Sequence, residues 1–261
     1  MDPLFTATNY LRYRLKAQTP HGIHSPFVFD FQNDVLLDQT PYYAFDLIES
    51  VRASMLLSDK SLTVTDFGAG GSKQRERQLR IKDIASRFVL PKKYGQLLFR
   101  MVNRFQPETI LELGTSLGIT SLYLALPKLK AKMITLEGCP QTAEVAKENF
   151  RKTNARHIEL LCGEFTGELP NALDALQRID FAYIDGNHRY HPTMDYFQRI
   201  LPYCHPETVL VFDDIRWSRE MSAAWDDIKK HPAVTQSIDL FKFGIVFFRQ
   251  GTIKQDFTLK F

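Results

Sequence analysis

From about residue 108, short β-rich segments alternate with amphipathic helical segments, and this alternation constrains the fold more than any other feature. The β-rich segments are TILEL (109–113), KMITLE (132–137), HIELLCG (157–163), DFAYID (180–185) and TVLVFDD (208–214). Helices are predicted to begin near Leu117, Gln141, Pro192 and Ser218, with a weaker helix over 168–176. Strands that alternate with helices indicate βαβ units and a parallel sheet.

The end of the chain breaks this alternation. VTQSIDLF (234–241) and GIVFFRQ (244–250) are predicted strands that are separated only by Lys242 and Phe243. Because a parallel crossover needs a dozen residues or more, these two strands must form an antiparallel hairpin. A mostly parallel sheet that ends in such a hairpin leaves few fold classes open.

The first 90 residues differ from the rest in composition. They are rich in aromatic side chains, as in SPFVFDFQNDVLL (25–37), and their helical patterning is less regular. Residues 1–90 are therefore predicted to form a mainly helical N-terminal cap with a short strand at 62–67, and residues 91–261 to form the core domain.

Composition and charge argue against several classes of protein. A net charge of +3 is too mild for a nucleic-acid-binding domain, which usually carries clustered Lys and Arg. No apolar run approaches the roughly 18 residues of a membrane span, and the N-terminus lacks the apolar region of a signal peptide. The three cysteines are scattered, which is typical of reduced thiols. The sequence therefore predicts a cytoplasmic protein without membrane or nucleic-acid partners.

Two glycine-rich turns, within 63–77 and 109–126, are candidates for a nucleotide or cofactor site. In a doubly wound fold such a turn follows a buried strand, opens a helix, and is followed by an acidic residue that ends the next strand. The second turn meets these conditions with Gly114, Gly118 and Glu137. The first does not, because its strand is half polar and no acid-terminated strand follows about 20 residues later. The second turn is therefore predicted to bind the cofactor.

The first turn receives a different interpretation. Three glycines followed by charged residues are typical of a mobile surface loop, and such loops often gate active sites. Residues 66–77 are therefore predicted to be a lid or substrate-side loop, and the basic run Lys73–Arg80 a solvated helix face. His21 and His24 are interpreted as turn or core residues, with a ligand role as the alternative.

Four segments taken together resemble the class I S-adenosylmethionine-dependent methyltransferases, and most of all the catechol and caffeoyl-CoA type O-methyltransferases. The segments are ILELGTSLGIT (110–120), MITLEGCPQTAEVAKENF (133–150), FAYIDGNHRYH (181–191) and VLVFDDI (209–215). The resemblance covers about residues 92–250. It implies a Rossmann-like α/β fold with a seven-stranded sheet of order 3-2-1-4-5-7-6, in which strand 7 is antiparallel.

The resemblance also implies S-adenosyl-L-methionine as the cofactor. Glu112, Gly114 and Gly118 match the turn around its methionine part, Glu137 the acid that binds the ribose hydroxyls, and Glu164 the contacts to adenine. Ser116 stands where many methyltransferases have a third glycine, a departure that the catechol-type enzymes share. The candidate cofactor-binding residues are Glu112, Gly114, Thr115, Ser116, Gly118, Thr120, Glu137, Gly138, Gly163, Glu164 and Asp185.

Three carboxylates follow two strands that are neighbours in the implied sheet. Asp185 ends one strand and Asp213 and Asp214 end the next, so all three are expected at the same carboxyl edge. Unpaired carboxylates so close together repel one another unless a cation neutralises them, and oxygen ligands suit Mg²⁺. A divalent cation, Mg²⁺ above all, is therefore predicted at Asp185, Asp213 and Asp214. In the alternative, one of these residues caps a helix or binds the cofactor amine.

His188, three residues after Asp185, is the predicted catalytic base. The resemblance implies this role, because the catechol-type enzymes carry a proton-abstracting Lys at the matching position. Histidine has an unperturbed pKa near 6.5 and can accept a proton at neutral pH. The alternative is a histidine in a surface loop. Trp217 is interpreted either as a wall of the acceptor pocket or as a packing residue.

These residues together predict a metal-assisted O-methyltransferase that acts on a small hydroxylated molecule, with His188 and Asp185 as catalytic residues. One alternative is a metal-independent methyltransferase for nitrogen or nucleic-acid acceptors, although the [DN]-P-P-[YF] motif typical of amino-directed enzymes is absent after Asp185. Another is a non-catalytic binding protein with the same fold. A homodimer is an open alternative to a monomer.

Overall fold

The computed structural model describes residues 3–19, 24–66 and 75–261. The helices are α1 (Pro3–Lys16), α2 (Pro26–Phe31), α3 (Tyr43–Leu56), α4 (Ile81–Arg87), α5 (Lys92–Phe105), α6 (Ile119–Ala125), α7 (Pro140–Lys152), α8 (Phe165–Leu176), α9 (Tyr190–Ile200) and α10 (Arg219–Lys230). The strands are β1 (Ser61–Asp66), β2 (Arg75–Arg80), β3 (Thr109–Leu113), β4 (Lys132–Glu137), β5 (Ile158–Cys162), β6 (Phe181–Ile184), β7 (Val209–Phe212), β8 (Gln236–Asp239), β9 (Gly244–Phe247) and β10 (Gln255–Thr258). A π-helical turn (Gln32–Leu36) continues α2, and a 3₁₀ turn (Leu201–Tyr203) follows α9.

Eight of the strands form the central sheet, in the hydrogen-bonded order β10-β8-β9-β7-β6-β3-β4-β5. Strand β9 is antiparallel to both β7 and β8, whereas β3–β4, β4–β5 and β6–β7 pair in parallel. The predicted order 3-2-1-4-5-7-6 and the predicted antiparallel hairpin are therefore confirmed, as is the Rossmann-like α/β fold.

The eighth strand, β10, extends the predicted seven-stranded sheet. It pairs in parallel with β8 at the edge of the sheet, and its segment QDFT has only Phe257 as a buried apolar residue. Such a short and mostly polar segment gives no alternating pattern from which a strand can be predicted.

The chain divides into two compact units. One unit contains Met1–Gln32 together with Gln177–Phe261, and the other contains Asn33–Leu176. The domain boundary predicted near residue 90 remains a prediction.

In the unit Asn33–Leu176, three parallel strands form the edge at which the turn between β3 and α6 lies. Leu113 pairs with Leu136, and Glu137 pairs with Cys162, so β3, β4 and β5 end side by side. Ile110 and Ile134 are completely buried, as expected for strands that are covered on both faces. The turn between β3 and α6 therefore starts next to the end of β4.

Strands β1 and β2 correct one prediction. The described part of the run Lys73–Arg80 is a strand, not a helix face, because Arg75–Arg80 pairs antiparallel with Ser61–Asp66. Leu79 pairs with the buried Leu62 and supplies the apolar side of the hairpin. Glu76, Arg77, Gln78 and Arg80 are exposed, so the expectation of a solvated face is correct for them.

Parts of two sequence predictions lie outside the described residues. The glycines of the proposed lid over 66–77 and His21 belong to the undescribed segments 67–74 and 20–23. His24 is described, and it is an exposed residue that precedes α2.

In the unit that contains Gln177–Phe261, the strands β6, β7, β8 and β9 are buried along their whole length. Glycine is needed at position 244, the first residue of β9, because a Cβ there would lie 2.6 Å from the ring of Trp225 on α10. Within the described ranges 3–19, 24–66 and 75–261, no helix combines the length and apolarity needed to cross a bilayer.

Candidate active site

The turn predicted to bind the cofactor, residues 114–118 between β3 and α6 and here called the cofactor turn, has an unusual backbone. Gly114, Ser116 and Gly118 have φ angles of 102°, 48° and 83°. The amides of Gly114 and Thr115 both donate to the carbonyl of Leu136, at 3.0 and 3.1 Å. The turn therefore wraps around the end of β4. Two of its three left-handed residues are glycines, which adopt this conformation without steric cost.

Gly118 is required for a second reason. A Cβ atom at this position would lie 2.7 Å from Cε1 of Phe150 and 3.1 Å from Cβ of Ala146, both on α7. Glycine at position 118 therefore allows α7 to pack directly against the start of α6.

Glu137 ends β4 and holds the cofactor turn in place. Its Oε2 accepts a hydrogen bond from the Ser116 amide at 2.7 Å. Its Oε1 accepts from the Cys139 amide at 2.9 Å and from the Thr142 hydroxyl at 3.1 Å. The carboxylate therefore connects the turn to the first residues of α7, where the helix N-terminus also favours negative charge.

Glu112 is completely buried and takes part in an internal network. Its Oε2 accepts hydrogen bonds from the hydroxyls of Ser121 and Thr135, the latter at 2.6 Å. The Thr135 hydroxyl also lies 2.6 Å from the Thr115 hydroxyl. Glu112 therefore supports the turn from within the unit, and its predicted contact with the methionine part of a cofactor stays a prediction.

Apart from Asp185, which follows β6, the remaining predicted cofactor residues lie near the ends of β4 and β5 or in α6. The Gly163 amide donates to the Glu137 carbonyl at 3.0 Å, which brings the loop after β5 against the end of β4. Glu164 is exposed and opens α8, where its carbonyl accepts from the amides at 167 and 168. Gly138 follows Glu137 directly, and Thr120 is buried in the first turn of α6.

The described part of the other glycine-rich hairpin contacts this same region. The Thr63 amide donates to Oε1 of Gln141 at 2.7 Å, and the Cys139 thiol lies 3.5 Å from the Thr63 carbonyl. Strand β1 therefore lies against the residues that follow Glu137. The lid function predicted for 66–77 stays a prediction.

A second group of site residues, here called the acidic cluster, consists of Asp185, His188, Asp213, Asp214 and Lys242. Asp185 directly follows β6, and Asp213 and Asp214 follow β7. Ile184 pairs with Phe212 in the parallel ladder, and the Asp213 amide donates to the Ile184 carbonyl at 3.0 Å. The structure therefore brings the three carboxylates to one edge of the sheet, as predicted.

Lys242 is the member of the cluster to which the sequence analysis gave no role. Its Nζ lies 3.0 Å from Oδ1 of Asp213 and 2.6 Å from Oδ1 of Asp214. The predicted sheet order contains the information needed to place Lys242. Strand β8 runs in the same direction as β7, so the turn after β8 lies at the edge at which β7 ends. The sheet order therefore places the β8–β9 turn, which contains Lys242, beside Asp213.

His188 points towards Asp185 from a strained loop. Its Nε2 lies 3.2 Å from Oδ1 of Asp185, and its side chain is 22% exposed. Asn187 and His188 both have positive φ angles, 62° and 24°, which non-glycine residues rarely adopt outside functional loops. The Trp217 ring lies beside the imidazole with 6.0 Å between centroids.

The charges of the acidic cluster shift the pKa of several members. Burial by itself lowers the pKa of His188, but the hydrogen bond and charge of Asp185, followed by the charges of Asp214 and Asp213, raise it to about 9. Burial, with repulsion from Asp185 and Asp214, raises the pKa of Asp213 to about 8, although Lys242 and His188 act in the opposite direction. Burial acts to lower the pKa of Lys242, whereas Asp213 and Asp214 raise it above its ordinary value.

The arrangement does not fit the predicted divalent cation. Within residues 3–19, 24–66 and 75–261, no group of three or more His, Cys, Asp and Glu side chains could hold a metal ion. The oxygens predicted as ligands instead face cationic side chains, Lys242 at Asp213 and Asp214 and the imidazole at Asp185. The helix-capping alternative has no support at α10 either, where the Ser218 hydroxyl accepts from the Met221 amide at 3.0 Å.

Comparison with known proteins shows which families the chain is similar to. Residues 111–215, which run from β3 to the loop after β7, match a family described as a methyltransferase domain. This matched segment lies within a sheet whose strand order is that of a Rossmann-like fold, and it contains the turn at residues 114–118.

Among curated proteins and solved structures, the chain resembles O-methyltransferases. It is 30% identical over 125 residues to a catechol O-methyltransferase of Niastella koreensis, which covers 46% of this chain and 55% of that protein. The chain thus spans about half the length of that relative. Two solved O-methyltransferases share the fold with TM-scores of 0.56, one from Bacillus cereus in complex with SAH at 18% identity and one, TomG, from Streptomyces achromogenes in complex with SAM at 17%. Each comparison covers 84% of this chain and 96% of the other.

Proposed function

We propose that this chain is an S-adenosylmethionine-dependent O-methyltransferase that acts on a small hydroxylated molecule. The observation that carries the proposal is the Asp185–His188 pair, in which an imidazole is held 3.2 Å from a carboxylate at the end of β6. Such a pair is suited to remove a hydroxyl proton, because the carboxylate orients the ring and stabilises the imidazolium that forms. The O-methyltransferase names of the relatives support the same reaction.

The cofactor turn supports S-adenosylmethionine as the methyl donor. Gly114 and Gly118 give the turn a backbone without side chains at two left-handed positions, and Glu137 stands where an acid is needed for ribose hydroxyls. When bound, S-adenosylmethionine supplies an electrophilic methyl group. The chain itself binds and orients the cofactor and the acceptor, and methyl transfer then depends mainly on positioning and electrostatics.

The proton balance of the reaction favours a phenolic acceptor. The neutral imidazole of His188 is the competent base, and its conjugate acid has a pKa of about 9. A phenol has a pKa of about 10, so transfer of its proton to this imidazole is nearly balanced in free energy. The Trp217 ring beside His188 is 37% exposed and offers a face on which an aromatic acceptor can stack.

Assistance by a divalent cation stays a prediction of the sequence, and the ion pairs of Lys242 weigh against it. His188 therefore carries the deprotonation step in this proposal. General base catalysis of this kind contributes roughly 10²–10⁴-fold to a rate.

Calorimetry tests the cofactor part of the proposal. The unmutated protein is expected to bind S-adenosylhomocysteine, and the Glu137→Ala variant is expected to bind it at least tenfold more weakly. Glu144→Ala is the matched control, because Glu144 is an exposed carboxylate on α7 that pairs with Lys147 on the same helix. Absence of binding by the unmutated protein would remove the proposal.

Methyl transfer to a panel of phenols and catechols tests the base. His188→Gln is expected to lower kcat by roughly 10²–10⁴-fold while cofactor binding persists. His191→Gln, three residues further on at an exposed position of α9, is the control and should retain full activity. Full activity of His188→Gln would show that another group removes the proton.

A further inference from the structure

Asp213 and Asp214 carry the carboxylate oxygens expected of a metal site. In the structure, these oxygens contact the ammonium group of Lys242 instead. We infer that the Lys242 ammonium is a permanent internal counter-ion that takes the place of a divalent metal ion at Asp213 and Asp214. In the context of the proposed function, which this inference builds on, the chain is then a methyltransferase that needs no added metal.

The contacts of Lys242 satisfy the requirements for such a counter-ion. Its Nζ reaches Asp213 at 3.0 Å and Asp214 at 2.6 Å, and only 19% of its side chain is exposed. The Asp213 side chain is 4% exposed, so ions from the solvent have little access to its oxygens. A buried carboxylate needs a partner of opposite charge, and here the partner is covalently part of the chain.

The backbone that carries Lys242 is fixed from both sides. The Ile215 amide, in the loop after β7, donates to the Lys242 carbonyl at 3.1 Å. On the hairpin itself, the Phe241 amide donates to Oδ1 of Asp239 at 2.8 Å, and Asp239 also forms an ion pair with Arg216. The β8–β9 turn is therefore tied to the same loop that bears Asp213 and Asp214, and the ammonium is held at a defined place.

Phe241, next to Lys242, has a φ of 70°, a conformation that is costly for a bulky residue. Its ring packs against Tyr10 and Tyr13 of α1, with centroid separations of 5.0 and 5.5 Å. The strain in the turn is therefore balanced by aromatic packing, which is the pattern expected where a backbone conformation serves a side chain's position.

An ammonium and a divalent ion differ in what they can do. Lys242 has three donors and a single charge, and it has no open coordination position for an acceptor hydroxyl. It can neutralise the carboxylates, but it does not activate the hydroxyl as a bound metal would. It therefore acts as a positioning residue, and deprotonation depends on His188.

A Mn²⁺ titration tests this inference without any need for turnover. Mn²⁺ binding is measured by calorimetry and by the paramagnetic signal of the free ion, for the unmutated protein and for Lys242→Met, Lys242→Arg and Lys230→Met. The unmutated protein and Lys242→Arg are expected to show no saturable binding at millimolar Mn²⁺. Lys242→Met, which exposes the carboxylates of Asp213 and Asp214, is expected to bind at least tenfold more tightly.

The controls separate a local effect from a general one. Lys230→Met removes an exposed lysine paired with Asp227 at 3.6 Å and should gain no affinity for Mn²⁺. Adding Asp213→Asn to Lys242→Met should abolish the gain, which a merely structural role of Lys242 would not predict. If Lys242→Met does not fold, the Mn²⁺ titrations of the unmutated protein and of Asp213→Asn still test the inference. Mn²⁺ binding that depends on Asp213 would contradict it.

Two results would overturn the inference. One is Mn²⁺ binding by the unmutated protein that Asp213→Asn weakens, and the other is a folded Lys242→Met without any gain in affinity. Because these titrations contain no methyl donor, a protein that fails to bind S-adenosylhomocysteine contradicts the proposed function and leaves the counter-ion inference to its own test.

Discussion

At Gly118 two independent constraints act on one residue, since its φ is 83° and a Cβ would lie 2.7 Å from the Phe150 ring. Gly118→Ala is therefore expected to destabilise the protein by about 1–2 kcal/mol for the left-handed backbone and about 1–3 kcal/mol for overpacking. Urea denaturation measures the loss. Gly167→Ala is the matched control, because nothing lies within 4 Å of a Cβ at that helical position.

Helix propensity even favours alanine at Gly167 by up to about 1 kcal/mol. Equal stabilities of Gly118→Ala and Gly167→Ala would therefore contradict the packing described for α6 and α7.

The raised pKa of His188 leads to a prediction about pH. Because only the neutral imidazole accepts a proton, kcat/KM is expected to rise with pH and to level off above the His188 pKa of about 9. Asp185→Asn removes the carboxylate that contributes most to the upward shift, so the rising limb should move towards pH 6.5, the ordinary value for histidine. A plateau that already begins at pH 7 in the unmutated protein would contradict this account.

At the scale of single residues, the sequence predicted where the candidate residues lie in the sheet better than it predicted what they contact. Glu137 ends β4 and Asp185 directly follows β6, and strand ends can be recognised from the apolar pattern. The partners of Glu137, such as the Ser116 amide, depend on backbone angles that no pattern encodes. From the sequence alone, Lys242 is only a residue between two predicted strands. Its contact with Asp213 appears once the sheet order brings the β8–β9 turn beside the end of β7.

The tie between α1 and the last strand is a property of elements. The Tyr13 hydroxyl donates to the Leu259 carbonyl at 2.7 Å and accepts from the Phe261 amide at 3.0 Å. Tyr13→Phe is expected to cost about 1–3 kcal/mol, because it leaves a carbonyl and an amide without these bonds. Thermal or chemical denaturation gives the value.

The neighbouring Tyr10 supplies the control. Tyr10→Phe keeps the ring contact with Phe241 and changes only a side chain that is 47% exposed, so stability should change by less than about 0.5 kcal/mol. A loss as large as that of Tyr13→Phe would indicate that the rings, and not the hydroxyl, connect α1 to the end of the chain.

At the scale of elements, long periodic segments were predicted well and short ones poorly. The strands 109–113 and 132–137 agree with β3 and β4 to the residue. Residues 75–80 were assigned to a helix because of their charges, whereas the structure pairs them with β1. Tertiary pairing overrides local preference in such a polar segment, and sequence alone does not show which partner is available.

For the molecule as a whole, the division into units gives a test of domain organisation. Phe27 and Phe31 pack against Phe247 with centroid separations of 4.9 and 6.2 Å, and the Gln18 amide donates to the Thr258 carbonyl at 2.8 Å. A truncated protein that starts at Asn33 is therefore expected to lose the native packing around β9, seen as a loss of near-UV circular dichroism and of amide protection.

A point variant separates this effect from a general sensitivity of α1. Leu4→Ser changes an apolar side chain that is 80% exposed and should leave stability within about 0.5 kcal/mol of the unmutated protein. If the truncated protein keeps native spectra and protection, residues 1–32 behave as part of a separable cap, as the predicted boundary near residue 90 implies.

The Lys242 ammonium has a consequence for how the protein responds to its surroundings. A tethered group acts at a fixed effective concentration, which dilution, chelators or a shortage of metal ions in the medium do not alter. An ion that is bound from solution is present only in proportion to its supply. With Lys242 held 3.0 Å from Asp213, a positive charge is present at this sheet edge as soon as the chain folds, so the protein is expected to be equally competent in metal-poor and metal-rich conditions.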